Sequence, residues 1–138
     1  MLANTWQGEF PWQNLLTDRY EGTSPVESFP PNGYGLFDMA GNVWEWTCDF
    51  FTPRHPGGVE HPCCAPHNPR VSSPEQSYGL GQPGERFPRR VTKGGSYLCA
   101  PNYCLRYRPA ARQGQTVETS TGHIGFRCIV RAATGTPG

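Results

Sequence analysis

A chain of 138 residues is long enough for one domain with a modest core. Its apolar share is only 36%, and 17 Gly with 15 Pro approach a quarter of the sequence, which leaves either partial disorder or a fold with much irregular backbone. Four Trp, six Tyr and seven Phe favour the second, because disordered chains are poor in aromatics. The formal charge of +1 is spread as mixed acids and bases, with neither a basic nucleic-acid stripe nor a polybasic membrane segment. No apolar run reaches bilayer length, and the first residues lack the regions of a signal peptide, so the expectation is a soluble protein with no nucleic-acid or membrane partner.

Residues 1–52 are dense in aromatics and turn formers. Phe29-Pro30-Pro31-Asn32-Gly33-Tyr34-Gly35 reads as a rigid extended piece running into a tight turn. Val43-Trp44-Glu45-Trp46 alternates as a short half-buried strand would, with both Trp on one face. Residues 53–90 hold eight Pro and five Gly without periodicity, and read as a long surface excursion with order returning near Val91. Ile124, Phe126, Cys128 and Val130 would share one face of a final strand, with Arg127 and Arg131 on the other. No repeat, heptad or long amphipathic helix is present. The fold class expected is α+β, loop-rich, with short strands and few helices.

The six cysteines, at Cys48, Cys63, Cys64, Cys99, Cys104 and Cys128, are too few for a disulfide scaffold and too irregular for a zinc ribbon. Cys99 and Cys104 lie in Gly94-Gly95-Ser96-Tyr97-Leu98-Cys99-Ala100-Pro101-Asn102-Tyr103-Cys104-Leu105-Arg106-Tyr107-Arg108-Pro109-Ala110-Ala111-Arg112. A spacing of five does not share a helix face, and Pro101 disfavours a helix, but a turn through residues 100–102 can bring the sulfurs together. Two converging thiolates suit a soft ion such as Cu(I), and Arg106, Arg108 and Arg112 would favour their ionised form. A local structural disulfide, or two unrelated cysteines, fits the spacing as well. His61, Cys63, Cys64 and His67 form a second tempting cluster, but adjacent cysteines rarely serve one ion with good geometry, and a solvated loop is the plainer reading. Cys48 reads as a small buried hydrophobe.

The segment around Cys99 and Cys104 closely resembles the active-site signature of formylglycine-generating enzymes. Gly125-Phe126-Arg127-Cys128 matches that family's closing strand. Ala3-Asn4-x-Trp6-Gln7-Gly8-Glu9-Phe10-Pro11, Asn32-Gly33-Tyr34-Gly35-Leu36 and Gly41-Asn42-Val43-Trp44-Glu45-Trp46 match it in the same order. The resemblance spans residues 2 to about 131, apart from 53–90, and implies a fold related to C-type-lectin-like domains. It implies a single partial catalytic domain over 1–138, because relatives carry a substantial region of the domain ahead of the Ala3-Asn4 block.

What the resemblance implies about chemistry is specific. Cys99 and Cys104 would bind one Cu(I), with Cys99 the more buried and Cys104 nearer the substrate. The substrate would be a sulfatase polypeptide with an extended Cys-x-Pro-x-Arg segment, whose cysteine is oxidised with O2 to formylglycine. Ser96, Tyr103 and Trp44 would line the reaction pocket, although a Gly-Gly-Ser turn and a Trp are often only structural. Arg112 would orient the pocket or the substrate peptide. His123 stands where many relatives have Asn beside the pocket, and adds titration near neutral pH. Asn4 and Asp18, with carbonyls of Thr5 and Tyr20, would hold one structural Ca2+. Asp38 and Glu45, with carbonyls of Gly41 and Val43, would hold a second, as an ion preferring several hard oxygens allows. Pro109 occupies a position where some relatives have a bridging cysteine, and Cys128 lacks an evident partner, so few disulfides and a cytoplasmic, bacterial-type location are expected.

Two other classes compete. The same scaffold hosts non-catalytic sulfatase-binding and lectin-like interaction modules, but silent relatives generally lack the thiol pair. An iron-dependent sulfoxide synthase relative would need a histidine triad in a further domain.

Overall fold

The computed structural model describes residues 2–54, 70–79 and 84–130. Its regular structure is one sheet of four short strands, β1 (Trp44–Phe50), β2 (Arg89–Lys93), β3 (Gln113–Thr116) and β4 (Ile124–Gly125), in spatial order β3-β2-β1-β4. β2 runs antiparallel to both β1 and β3, whereas β4 lies parallel to β1. Trp44 is buried, whereas Glu45 and Trp46 are both half-buried, so the alternation expected from the sequence is blunted. Between Trp46, opposite Thr92, and Phe50, opposite Arg90, three residues of β1 stand against one of β2. Extra residues on one strand of a pair bend it, and here the bend swings the end of β1 toward Val71.

The 53–90 excursion carries more order than its composition suggests, in the part that is described. Phe50 N donates to the Val71 carbonyl (2.9 Å), and Val71 is buried. A 3-10 helix covers Pro74–Ser77, with proline in its first turn where an amide hydrogen has no helical acceptor. The fully buried Ser77 hydroxyl donates to the Pro74 carbonyl (2.6 Å) and accepts from Arg89 N (2.9 Å), which starts β2 two residues before Val91. His61, Cys63, Cys64 and His67 lie outside the described residues.

Two expectations fail. The closing strand is only Ile124–Gly125, and Phe126, Cys128 and Val130 are exposed, Val130 at 99%. A two-residue pairing with β1 supplies too few ladder bonds to carry the alternation further. Cys48 is exposed instead of buried, and it falls where the register of β1 with β2 is interrupted between Trp46 and Phe50.

Residues 2–43 contain no strand or helix, so their backbone groups must find partners elsewhere. Side chains provide them. The largest fully buried side chains among the described residues are all polar: Asn4, Thr92, Ser77 and Ser96. Asn42 is the hub, in the left-handed region at φ 59° that Asn tolerates. Its Oδ1 accepts from Ser24 N (2.9 Å) and Asn4 Nδ2 (3.4 Å), and its Nδ2 donates to the Ser24 carbonyl (3.1 Å). Its backbone N donates to the Asn4 carbonyl (2.7 Å), and its carbonyl accepts from Tyr97 N (2.9 Å). Gly41 makes this approach possible: at φ 75°, a Cβ there would sit 2.1 Å from the Asn4 carbonyl oxygen.

Candidate active site

The chain leaves β2 through Gly94 and Gly95, both at positive φ, and a Cβ on Gly95 would press to 2.9 Å of the Tyr107 backbone. Two turns follow. Cys99 N donates to the Ser96 carbonyl (2.9 Å) while the Ser96 hydroxyl accepts from Leu98 N (3.3 Å). Tyr103 N and Cys104 N then both donate to the Ala100 carbonyl, at 3.1 and 2.7 Å. These bonds reverse the chain across Pro101 and Asn102 and set Cys99 Sγ 3.0 Å from Cys104 Sγ. That is far beyond a disulfide bond of about 2.05 Å, and both cysteines are free thiols.

The two sulfurs differ in setting. Cys99 is 3% exposed, beside the fully buried Ala100, and its carbonyl accepts from Trp6 N (3.2 Å). Cys104 is half-buried at the end of a run of exposed residues, Pro101 to Tyr103. Burial, then the hydrogen bond with Cys104, pushes the Cys99 thiol up to about 11, and Arg106 opposes this only weakly. The expectation that Arg106, Arg108 and Arg112 favour ionisation is therefore corrected for Cys99. The Arg106 guanidinium is engaged with Gln113 Oε1 (2.7 Å), Arg108 is exposed, and the Arg112 guanidinium lies over the Phe51 ring at 5.3 Å.

The pair is chemically suited to a soft ion, since thiols lose their protons on binding metal even when burial disfavours the bare thiolate. Cys104, on the exposed arm, is the more accessible of the two sulfurs.

Ser96 and Tyr103 belong to the same two turns as the thiols. Ser96 is 1% exposed and shapes the first turn, whereas Tyr103 is 69% exposed and stacks on Phe10, ring centroids 4.5 Å apart. Trp44 is a core residue at the start of β1, its N donating to the His123 carbonyl (2.8 Å). The His123 ring meets Thr121 Oγ1 at 3.3 Å through Nδ1. Arg112 stands at the opposite end of the segment, beside Lys93, whose Nζ donates to the carbonyls of Pro109 (2.8 Å) and Ala111 (3.1 Å).

The first calcium set fits a hard cation. Asp18 is buried, its Oδ1 accepting from Tyr20 N (3.0 Å), while its Oδ2 is buried without a partner. A buried carboxylate oxygen without a partner is the kind of acceptor that calcium satisfies. The Thr5 carbonyl accepts from Gln7 Nε2 (2.9 Å) and holds the neighbouring backbone in place. The second set does not fit as it stands. Both Glu45 oxygens are bound by the Arg127 guanidinium, which also donates to the Phe37 (2.9 Å) and Asp38 (3.0 Å) carbonyls. Asp38 Oδ2 accepts from Glu27 N (2.7 Å), and Gly41 serves the close approach to Asn4 rather than an ion. Of the set Asp38, Gly41, Val43 and Glu45, the Arg127 guanidinium already engages the Glu45 carboxylate and the Asp38 carbonyl.

Sequence reasoning passed over Asn42, Glu9, Phe10 and Asn102. Only Asn42 carried a local signal, a Gly-Asn pair suited to consecutive left-handed residues. The other three act across 93 residues, as the Asn102 Nδ2 bond to Glu9 Oε2 (2.7 Å) shows.

Fold and site together define a short-stranded, loop-rich α+β domain that presents two thiols on one turn. Residues 1–132 match the FGE-sulfatase family, the sulfatase-modifying factor enzyme 1-like domain, and the chain belongs to that family. The formylglycine-generating enzyme of Mycobacterium tuberculosis is 47% identical over 98% of this chain and 42% of its own length. The chain thus spans less than half of that relative. Mouse inactive C-alpha-formylglycine-generating enzyme 2 is 32% identical over 94% of this chain and 33% of its own. Among solved structures, PvdO from Pseudomonas aeruginosa shares the fold with a TM-score of 0.59 and 26% identity, over 91% of this chain and 37% of that one. No helix among the described residues is long and apolar enough to cross a membrane.

Proposed function

We propose that this chain carries the thiol centre of a formylglycine-generating oxidase, which converts the cysteine of a sulfatase Cys-x-Pro-x-Arg segment to formylglycine at the expense of O2. The observation that supports it best is the pair of free thiols on one turn, 3.0 Å apart, in a chain 47% identical to a formylglycine-generating enzyme. Cys99 and Cys104 would hold copper, which supplies the one-electron and O2 chemistry that side chains lack. The chain's own residues have separate tasks. Cys99 would be the ligand anchored by buried backbone, and Cys104 the ligand on the more exposed arm. Ser96 keeps the first turn closed, and the exposed Tyr103 ring offers an apolar face beside the thiols. Asn4 and Asp18, with carbonyls of Thr5 and Tyr20, would hold one structural calcium. A cytoplasmic location accords with the free thiols among the described cysteines.

The test supplies the chain with Cu(I), O2, a thiol reductant and a Cys-x-Pro-x-Arg peptide, and follows the peptide by mass spectrometry. Cysteine should become aldehyde with loss of sulfur, and Cys104→Ser should abolish this. Equal product from the Cys99→Ser/Cys104→Ser double variant would refute the assignment. The family also contains a protein named as inactive, which supports a second reading as a sulfatase-binding module. Peptide retained without conversion, by the parent and the double variant alike, would favour that reading.

A further inference from the structure

We infer that Glu9 and Phe10 are positioning residues for Cys104, acting as a clamp on the turn that carries it. The inference deepens the thiol-centre reading, but stands on contacts that reading does not use. The Cys99 half of the pair is fixed by buried backbone: Ala100 is fully buried, and the Cys99 carbonyl accepts from Trp6 N. The Cys104 half rises through Pro101, Asn102 and Tyr103, all exposed. That arm meets the rest of the molecule at two consecutive residues. Asn102 Nδ2 donates to Glu9 Oε2 (2.7 Å), and the Tyr103 ring stacks on Phe10 with an interplanar angle of 20°.

The clamp is itself held in place. Trp12 N and Gln13 N both donate to the Glu9 carbonyl at 2.8 Å, and Phe10 meets Trp6 edge to face at 5.1 Å. Gly8, at φ 117°, permits the tight passage, since a Cβ there would lie 2.8 Å from the Gln13 carbonyl oxygen. Gln7 Oε1 accepts from Asp18 N (3.0 Å), so the same loop runs back to the buried carboxylate of the first calcium set. Cys104 Sγ is therefore set by a loop more than ninety residues upstream, and its proximity to Cys99 depends on that loop keeping its shape.

The effective concentration of one thiol at the other reads this directly. The full chain is equilibrated in glutathione buffers of graded ratio, quenched by alkylation, and the Cys99–Cys104 pair quantified by peptide mass mapping. In that exchange a sulfur–sulfur bond forms between the two cysteines while one oxidised glutathione is reduced to two glutathione thiols. Phe10→Leu should lower the equilibrium constant by about threefold to tenfold, as loss of an aromatic pair implies, and Phe10→Tyr should restore it to near the parent value. Alkylation of the exposed Cys48 should stay unchanged in both. A Phe10→Leu chain with the parent near-ultraviolet spectrum and the parent constant would overturn the inference. Should Phe10→Leu not fold, Glu9→Ala and Asn102→Ala decide. Each should reduce the constant by about two- to fourfold, as a single hydrogen bond implies, with the double variant no worse than either. Constants equal to the parent in both would overturn it. Because the readout is a thiol equilibrium, it holds or fails independently of whether the chain oxidises a peptide.

Discussion

The sheet and the strandless segment before it are held together by different means. In β1 and β2, buried Trp44 and Val91 pack on a ladder whose backbone groups satisfy one another. In residues 2–43 the ladder is replaced in part by the buried Asn4 and Asn42 side chains, which bond to each other and to backbone groups of Gly22 and Ser24. An apolar core tolerates the loss of a contact by partial collapse. A polar network cannot, because each broken bond strands a buried donor or acceptor.

That contrast can be broken in several places, and the largest effect is expected in the sheet. Trp44→Ala should cost about 3–5 kcal/mol in urea unfolding, as for other buried aromatics. Asn42→Ala should follow closely, at about 3 kcal/mol, since it strands Ser24 N and O and places alanine at positive φ. Asn42→Asp would sharpen the comparison by keeping the acceptor and losing the donor, and should be milder than the alanine variant.

Calcium tests the polar region from the other side. Addition at one hundred times its dissociation constant should stabilise the parent by about 2.7 kcal/mol, seen as a raised Tm. Asp18→Asn should abolish the rise, whereas Glu45→Gln should leave it, because Arg127 already occupies Glu45. A calcium response lost in Glu45→Gln and kept in Asp18→Asn would reverse the assignment.

A smaller effect concerns pH. The Cys99 thiol is raised to about 11, against about 8.5 for an exposed cysteine. The folded state therefore holds this proton more tightly than the unfolded chain. The stability it confers is complete below the unfolded value and is lost as pH climbs from there through 11. Thermal melts across that window should steepen downward in the parent and flatten in Cys99→Ser. Iodoacetamide at neutral pH should modify Cys99 more slowly than Cys48 or Cys128. The smallest change is expected at Phe126→Ala, within about 0.5 kcal/mol, because that ring is 76% exposed.

Read from residues alone, the chain already declared its loop-rich α+β character, the strand at Trp44, the turn between Cys99 and Cys104 and the family, through motifs in register. Those features depend on neighbours within a few positions: an alternation, a Pro-Asn turn, paired glycines. The length of β4, the exposure of Cys48 and the order around Val71 and Ser77 were decided by which segments pair with β1 and β2, and no local pattern encodes that choice. The same holds for charge and position at the site. Arg106 and Arg112 engage Gln113 and the Phe51 ring, Arg127 takes Glu45 from 82 residues away, and Glu9 and Phe10 reach the Cys104 turn across most of the chain. Local chemistry named the reactive atoms and the turn that joins them; long-range packing set the burial of Cys99 and the contacts of the arm that carries Cys104.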